Sequence, residues 1–122
     1  MRIFSACIVI PLITGQAIPS LASAGECIRR PDRFELRSDT ANWTITIGAG
    51  GECLQGLRGR AMLLDSVKVV EPPKTGFVTI SGPSFRYRAP ATPASDSFKL
   101  EVSGEDHRIR GKSFIQIEVT AR

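Results

Sequence analysis

The stretch DSFKLEVSGEDHRIRGKSFIQIEVT, residues 96–120, decides the fold class. Its apolar residues recur at every second position. Phe98, Leu100 and Val102 line one side of residues 96–103, and Ile115, Ile117 and Val119 line one side of residues 113–120. A period of two belongs to a strand with one buried and one wet face, whereas a helix repeats every three to four residues. The polar segment from Gly104 to Gly111 between the two runs is expected to be a charged loop, with Ile109 extending one strand edge.

The same period recurs upstream. In residues 42–47 it places Trp43, Ile45 and Ile47 on one face, and the run ends at Gly48, Gly50 and Gly51, where a tight reversal is permitted. Residues 66–71 alternate again. Pro72 to Gly76 reads as a turn, because the prolines fix φ. Residues 77–80 and 84–88 read as a hairpin around Ser81, Gly82 and Pro83, with Val78 and Ile80 facing the same way as Phe85 and Tyr87, and Arg86 and Arg88 in solvent. Residues 89–95 hold Pro90 and Pro93 and do not suit a central strand. Between Glu52 and Leu64 the period is lost. Leu54, Leu57 and Leu63 suggest a helical turn that Gly56 and Gly59 weaken, so irregular chain is expected, leading into a strand over residues 61–64. About seven short strands with frequent turn signals predict an all-β domain of antiparallel sheets. Their apolar faces are expected to cover each other in a β-sandwich.

Residues 1–24 read as a cleaved secretory signal peptide. Arg2 supplies the charge, the apolar run from Ile3 to Ile13 supplies the hydrophobic region, and Ala22, Ser23 and Ala24 form an A-x-A cleavage site. The run is too short for a membrane span, which takes about 20 apolar residues. The domain is therefore expected over residues 25–122, exported to the periplasm or beyond, with no transmembrane segment in the mature chain. Without Arg2 it carries fifteen basic and twelve acidic side chains, interspersed, a net charge of +3. No block of Lys and Arg resembles a nucleic-acid tail, so no nucleic acid is expected as a partner.

Cys7 leaves with the signal peptide, and the remaining pair, Cys27 and Cys53, is expected to form a disulfide in an oxidising compartment. A loop of about 27 residues closed in this way contributes roughly 3.5 kcal/mol in the chain-entropy model. A metal site would need more ligands than two thiols and the distant His107, so no metal is expected. The bridge should run from the N-terminal arm to the loop after the Trp43 strand.

From Val67 to Val119 the chain resembles bacterial Ig-like and cadherin-like domains of secreted and surface proteins. The residues that carry the likeness are Val69, Pro73 to Val78, Phe85 to Pro90, Asp96 to Phe98, and Ile115 to Val119. Tyr87 and Pro90 stand further apart than in those domains, and Ala94 takes the place of a glycine. The resemblance implies an Ig-like antiparallel β-sandwich used for adhesion, spacing or binding. The sandwich itself hosts many unrelated roles.

No catalytic residue is expected. His107 sits among Glu105, Asp106 and Arg108, and a hairpin tip holds a triad geometry poorly. Asp96 invites a calcium reading, but calcium takes six to eight oxygens and no D-x-D occurs, so Asp96 is expected to cap the turn before its strand. Gly48 to Gly59 lacks the Lys-Ser/Thr of a phosphate loop, and no cofactor is expected. Arg86, Arg88 and Lys99 are expected to share a solvent face that would suit an anionic glycan or acidic partner. The residues favour a non-enzymatic exported domain with a binding or structural role toward a protein or glycan of the cell envelope. The competing expectation is an inhibitor or accessory subunit of an envelope enzyme, acting through the surface segment Glu105 to Arg108.

Overall fold

A computed structural model describes residues 27–58 and 62–122, so the signal-peptide reading of residues 1–24 lies outside the described residues. Among the described residues eight strands form: β1 (Cys27–Arg30), β2 (Thr40–Ile47), β3 (Glu52–Gly56), β4 (Met62–Glu71), β5 (Phe77–Ser81), β6 (Ser84–Arg88), β7 (Ala94–Asp106) and β8 (Ile109–Ala121). They make a five-stranded sheet, β1-β2-β8-β7-β4, and a three-stranded sheet, β3-β6-β5. The two pack face to face as a sandwich. The pairing of β4, β7 and β8 in one sheet and of β3, β6 and β5 in the other follows the Greek-key order of an immunoglobulin-like domain.

The core follows from the alternation. Trp43, Ile45 and Ile47 of β2, Phe98, Leu100 and Val102 of β7, and Ile115, Ile117 and Val119 of β8 are all buried on one side of the larger sheet. Phe85 and Tyr87 answer them from β6. Phe85 meets Phe98 edge-on at 5.3 Å and Tyr87 stacks on the same ring at 5.6 Å, so one aromatic triplet joins the layers. The expected hairpin is present, with Val78 opposite Tyr87 and Ile80 opposite Phe85.

Four expectations are corrected. Among the described residues one strand pair, β2 with β8, is parallel; every other pair is antiparallel. Residues 52–56 are a strand rather than irregular chain, pairing with β6. Of its residues only Cys53 is buried, so an edge strand of this length leaves almost no apolar period to read. The segment Gly104–Gly111 is ladder rather than loop. The β7–β8 hairpin narrows to a two-residue turn at His107 and Arg108, both at positive φ (54° and 69°). It is polar because it runs past the shorter facing sheet. Finally, the disulfide of Cys27 and Cys53 forms as expected, but Cys53 lies within β3, so the bridge staples the edges of the two sheets together. Arg29 crosses the same seam, its Nη1 donating to the Leu54 carbonyl at 2.5 Å.

Candidate binding cleft at one end of the sandwich

The two ends of the sandwich are built differently. At one end the chain closes on itself through the backbone. The Ala49 amide donates to the Arg122 carbonyl (2.7 Å), Gly50 to Pro90 (2.8 Å) and Ala89 to Gly51 (2.9 Å). Its centre is Asp96, 8% exposed and on the core face of β7. One oxygen accepts the Lys74 amide (2.7 Å) and the Ser97 amide (3.0 Å); the other accepts Gly76 (2.9 Å), Thr75 (3.3 Å) and the Tyr87 hydroxyl (2.7 Å). Asp96 thus caps a turn, though the one between β4 and β5 rather than the one before its own strand. Burial pushes its carboxyl up, and the bonds from Tyr87, the Lys74 and Gly76 amides and Thr75 outweigh burial, holding it at about 2. The same pairing, with burial, raises the Tyr87 phenol. This is a structural node: every oxygen is committed to the fold.

The other end, about 33 Å away along the length of β7, holds a cleft of about 780 Å³. Three pieces of chain form it: the strap of residues 31–39 between β1 and β2, the segment Gln55 to Arg58, and the tip of the β7–β8 hairpin with Asp106 and His107. The strap is fixed from below. Leu36 is buried in the core, Trp43 Nε1 donates to the Asp32 carbonyl at 2.8 Å, and Phe34 packs 6.2 Å from the Trp43 ring. Ser113, fully buried on β8, places its hydroxyl between the Glu35 carbonyl and the Asp39 carboxylate and accepts the Arg37 amide at 3.3 Å. Burial raises the Asp39 carboxyl, but the Ser113 bond and the Glu35 amide leave it below its usual range. The Leu36 carbonyl lies so close to Gly111 that a Cβ there would overlap it. Gly104, directly across the ladder, is crowded in the same way by the Leu63 carbonyl, where β4 bulges between Leu64 and Ser66.

Among the acids of the cleft, Asp39 is spent on Ser113, Glu35 lies 3.4 Å from Arg37, Asp106 lies 2.9 Å from His107 Nδ1, and Asp32 accepts the Arg33 amide at 2.9 Å. Among the described residues neither Arg33 nor Arg58 has an acidic partner within ion-pair distance, so the cleft, which Phe34 also lines, offers guanidinium donors. The buried Ser113 has no histidine beside it, and His107 faces Asp106 from the exposed turn. Among the described residues no group of three His, Cys, Asp or Glu side chains could hold a metal ion, and no helix is long and apolar enough to cross a membrane.

The structure brings Asp106 and His107 into this cleft, puts Glu105 on the opposite face of β7 from Asp106, and leaves Arg108 exposed in the turn. It does not assemble the expected basic face. Arg86 and Arg88 stand on the outer side of the three-stranded sheet around Glu52, at 3.9 and 2.5 Å. Lys99 stands on the outer side of the other sheet, 3.7 Å from Glu71 and over the Phe114 ring at 5.5 Å. β6 and β7 belong to different sheets, so no one face holds all three cations. Arg33, Phe34, Arg37 and Arg58 were not singled out by sequence. Three of them lie on the strap, where no period exists to mark them, and only the arginine spacing about Trp43 hints at a cluster. No protein-family model matches the chain, and no curated protein matches it either.

Proposed function

We propose that this chain is an exported, non-enzymatic domain, akin to the Ig-like and cadherin-like domains of secreted and surface proteins, that binds a carboxylate-bearing protein or glycan of the cell envelope at the cleft end of its sandwich. The observation that carries this reading is the pair Arg33 and Arg58, without ion-pair partners among the described residues, in a cleft also lined by Phe34 where Glu35, Asp39 and Asp106 are engaged by other side chains and Asp32 accepts a backbone amide. Guanidinium groups match carboxylates in planar, two-point fashion. Loop ends of a rigid sandwich are also where such folds place recognition. A catalytic reading finds less support, because the buried Ser113 and Asp39 are consumed in holding the strap.

Poly-glutamate and polygalacturonate serve as protein-like and glycan-like carboxylate probes. Binding at low salt should fall at least tenfold in the double variant Arg33→Ser, Arg58→Ser and stay within twofold of the parent in Arg86→Ser, Arg88→Ser. Equal losses in both variants, or binding in neither parent nor variants, would contradict the reading.

A further inference from the structure

Four strands lie at sheet edges, and three of them are blocked. Exposed edges with free N–H and C=O groups are templates for pairing, and proteins blunt them with charges, bulges or covalent ties. β1 carries Arg29 and Arg30 and is tied at Cys27; β3 carries Glu52, is tied at Cys53 and is crossed by Arg29. β4 carries Asp65, Lys68 and Glu71 and has two register shifts. β5, Phe77-Val78-Thr79-Ile80-Ser81, has no charge, no proline and an unbroken register with β6. The two-residue turn at Gly82 and Pro83 closes that ladder on Ser81 and Ser84, so alternate residues bond to β6 and the N–H and C=O of Val78 and Ile80 face outward. Among the described residues no backbone group outside the sheet reaches them.

The outer face of the same sheet differs between its two ends, with Phe77 in one row with Arg88 and Glu52. Phe77 is 73% exposed, the most exposed large apolar side chain among the described residues. At the other end of β5, Ser81 lies in one row with Ser84 and Gly56, a shelf of small residues on that same face. We propose that β5 is the pairing edge of a homodimer, two copies joining antiparallel about a two-fold axis at Thr79. Val78 of each copy then lies opposite Ile80 of the other, exchanging four backbone hydrogen bonds. Phe77 lies opposite Ser81 of the other copy and folds over its Ser81–Ser84 shelf. The half-buried Val78 and Ile80 extend each core toward the other. No like charges oppose, since the nearest, Arg86 of each copy, are three strand spacings apart, about 14 Å. The occupant is a second copy because the two ends of one short strand, aromatic and shelf, match each other under the two-fold.

Sedimentation equilibrium of the purified protein should show a monomer–dimer equilibrium. Thr79→Lys, which sets two ammonium groups against each other on the axis, and Phe77→Ser should each weaken dimerisation at least tenfold while leaving the circular dichroism spectrum unchanged. Because a variant can lose its fold, a second measurement reads the register directly. Thr79→Cys should oxidise to a covalent dimer, since residues opposed at a non-hydrogen-bonded position stand about 4.5 Å apart at Cα, within disulfide reach. Ser81→Cys and Lys68→Cys should not. A monomer at all concentrations, a dimer indifferent to Thr79→Lys, or cross-linking at Lys68→Cys equal to that at Thr79→Cys would overturn the proposal.

Discussion

Asp96 shows how one side chain organises a region that has no apolar period of its own. It points inward with Phe98, Leu100 and Val102, at a position where the alternation calls for an apolar residue. Its burial is tolerated because three amides of the Pro72–Gly76 turn, its neighbour's amide and Tyr87 satisfy it. Its depressed pKa sets the sign of the pH dependence. The unfolded carboxyl titrates at about 3.9 and the folded one at about 2. Stability from the node is therefore complete above about pH 4 and is lost as pH falls through 2, a contribution of about 2 kcal/mol. Denaturant titrations should show this loss in the parent, and Asp96→Asn should be less stable by about 2 kcal/mol at pH 7 with a flatter profile between pH 4 and pH 2. At the other end of the sandwich, on β8, Gly111→Ala should destabilise by about 3 kcal/mol or more, because its Cβ meets the Leu36 backbone rather than a movable side chain. Gly56→Ala meets nothing and should be near neutral by thermal denaturation.

Among the elements, β7 and β8 were legible because thirteen-residue partners present a long apolar period, and β2 because Trp43, Ile45 and Ile47 fall in step. β3 was not, since one inward residue is no pattern, and its place was set by tertiary pairing with β6. The hairpin tip was hidden for another reason. Its turn residues are His107 and Arg108, whereas positive φ at both positions is normally written as Asn-Gly. The parallel pairing of β2 with β8 joins residues more than seventy positions apart, and nothing local to either strand encodes it. The disulfide was foreseen from cysteine count and compartment, but its role as a staple between two sheet edges emerges only from the topology. Reduction, or Cys27→Ser with Cys53→Ser, should lower stability by about 3.5 kcal/mol in the chain-entropy model, read as a lower denaturant midpoint. The fold should persist in water at 25 °C, since Leu100, Val102, Ile115 and Ile117 stay buried on β7 and β8, strands the staple does not tie, although Tyr87 stands directly opposite Cys53.

At the scale of the whole molecule, the sandwich has a closed end and an open one. The closed end is built from backbone bonds and the Asp96 node; the open end carries the cleft of Arg33, Phe34, Arg37 and Arg58 beneath the strap. Four of the seven expected binding residues belong to the open end, Asp106 and His107 directly and Glu105 and Arg108 as their neighbours. Arg86, Arg88 and Lys99 belong elsewhere, divided between two outward faces. We read the asymmetry as division of labour, with one end holding the fold and the other meeting a partner outside the cytoplasm. The most direct test is photo-cross-linking in the intact cell envelope, with the photoreactive side chain placed in turn at Arg37, His107, Lys68 and Glu118. A discrete adduct from Arg37 and His107, absent from Lys68 and Glu118, is the result expected. Adducts of equal yield from all four positions, no adduct from the cleft, or recovery of the chain in the cytoplasm alone would contradict it.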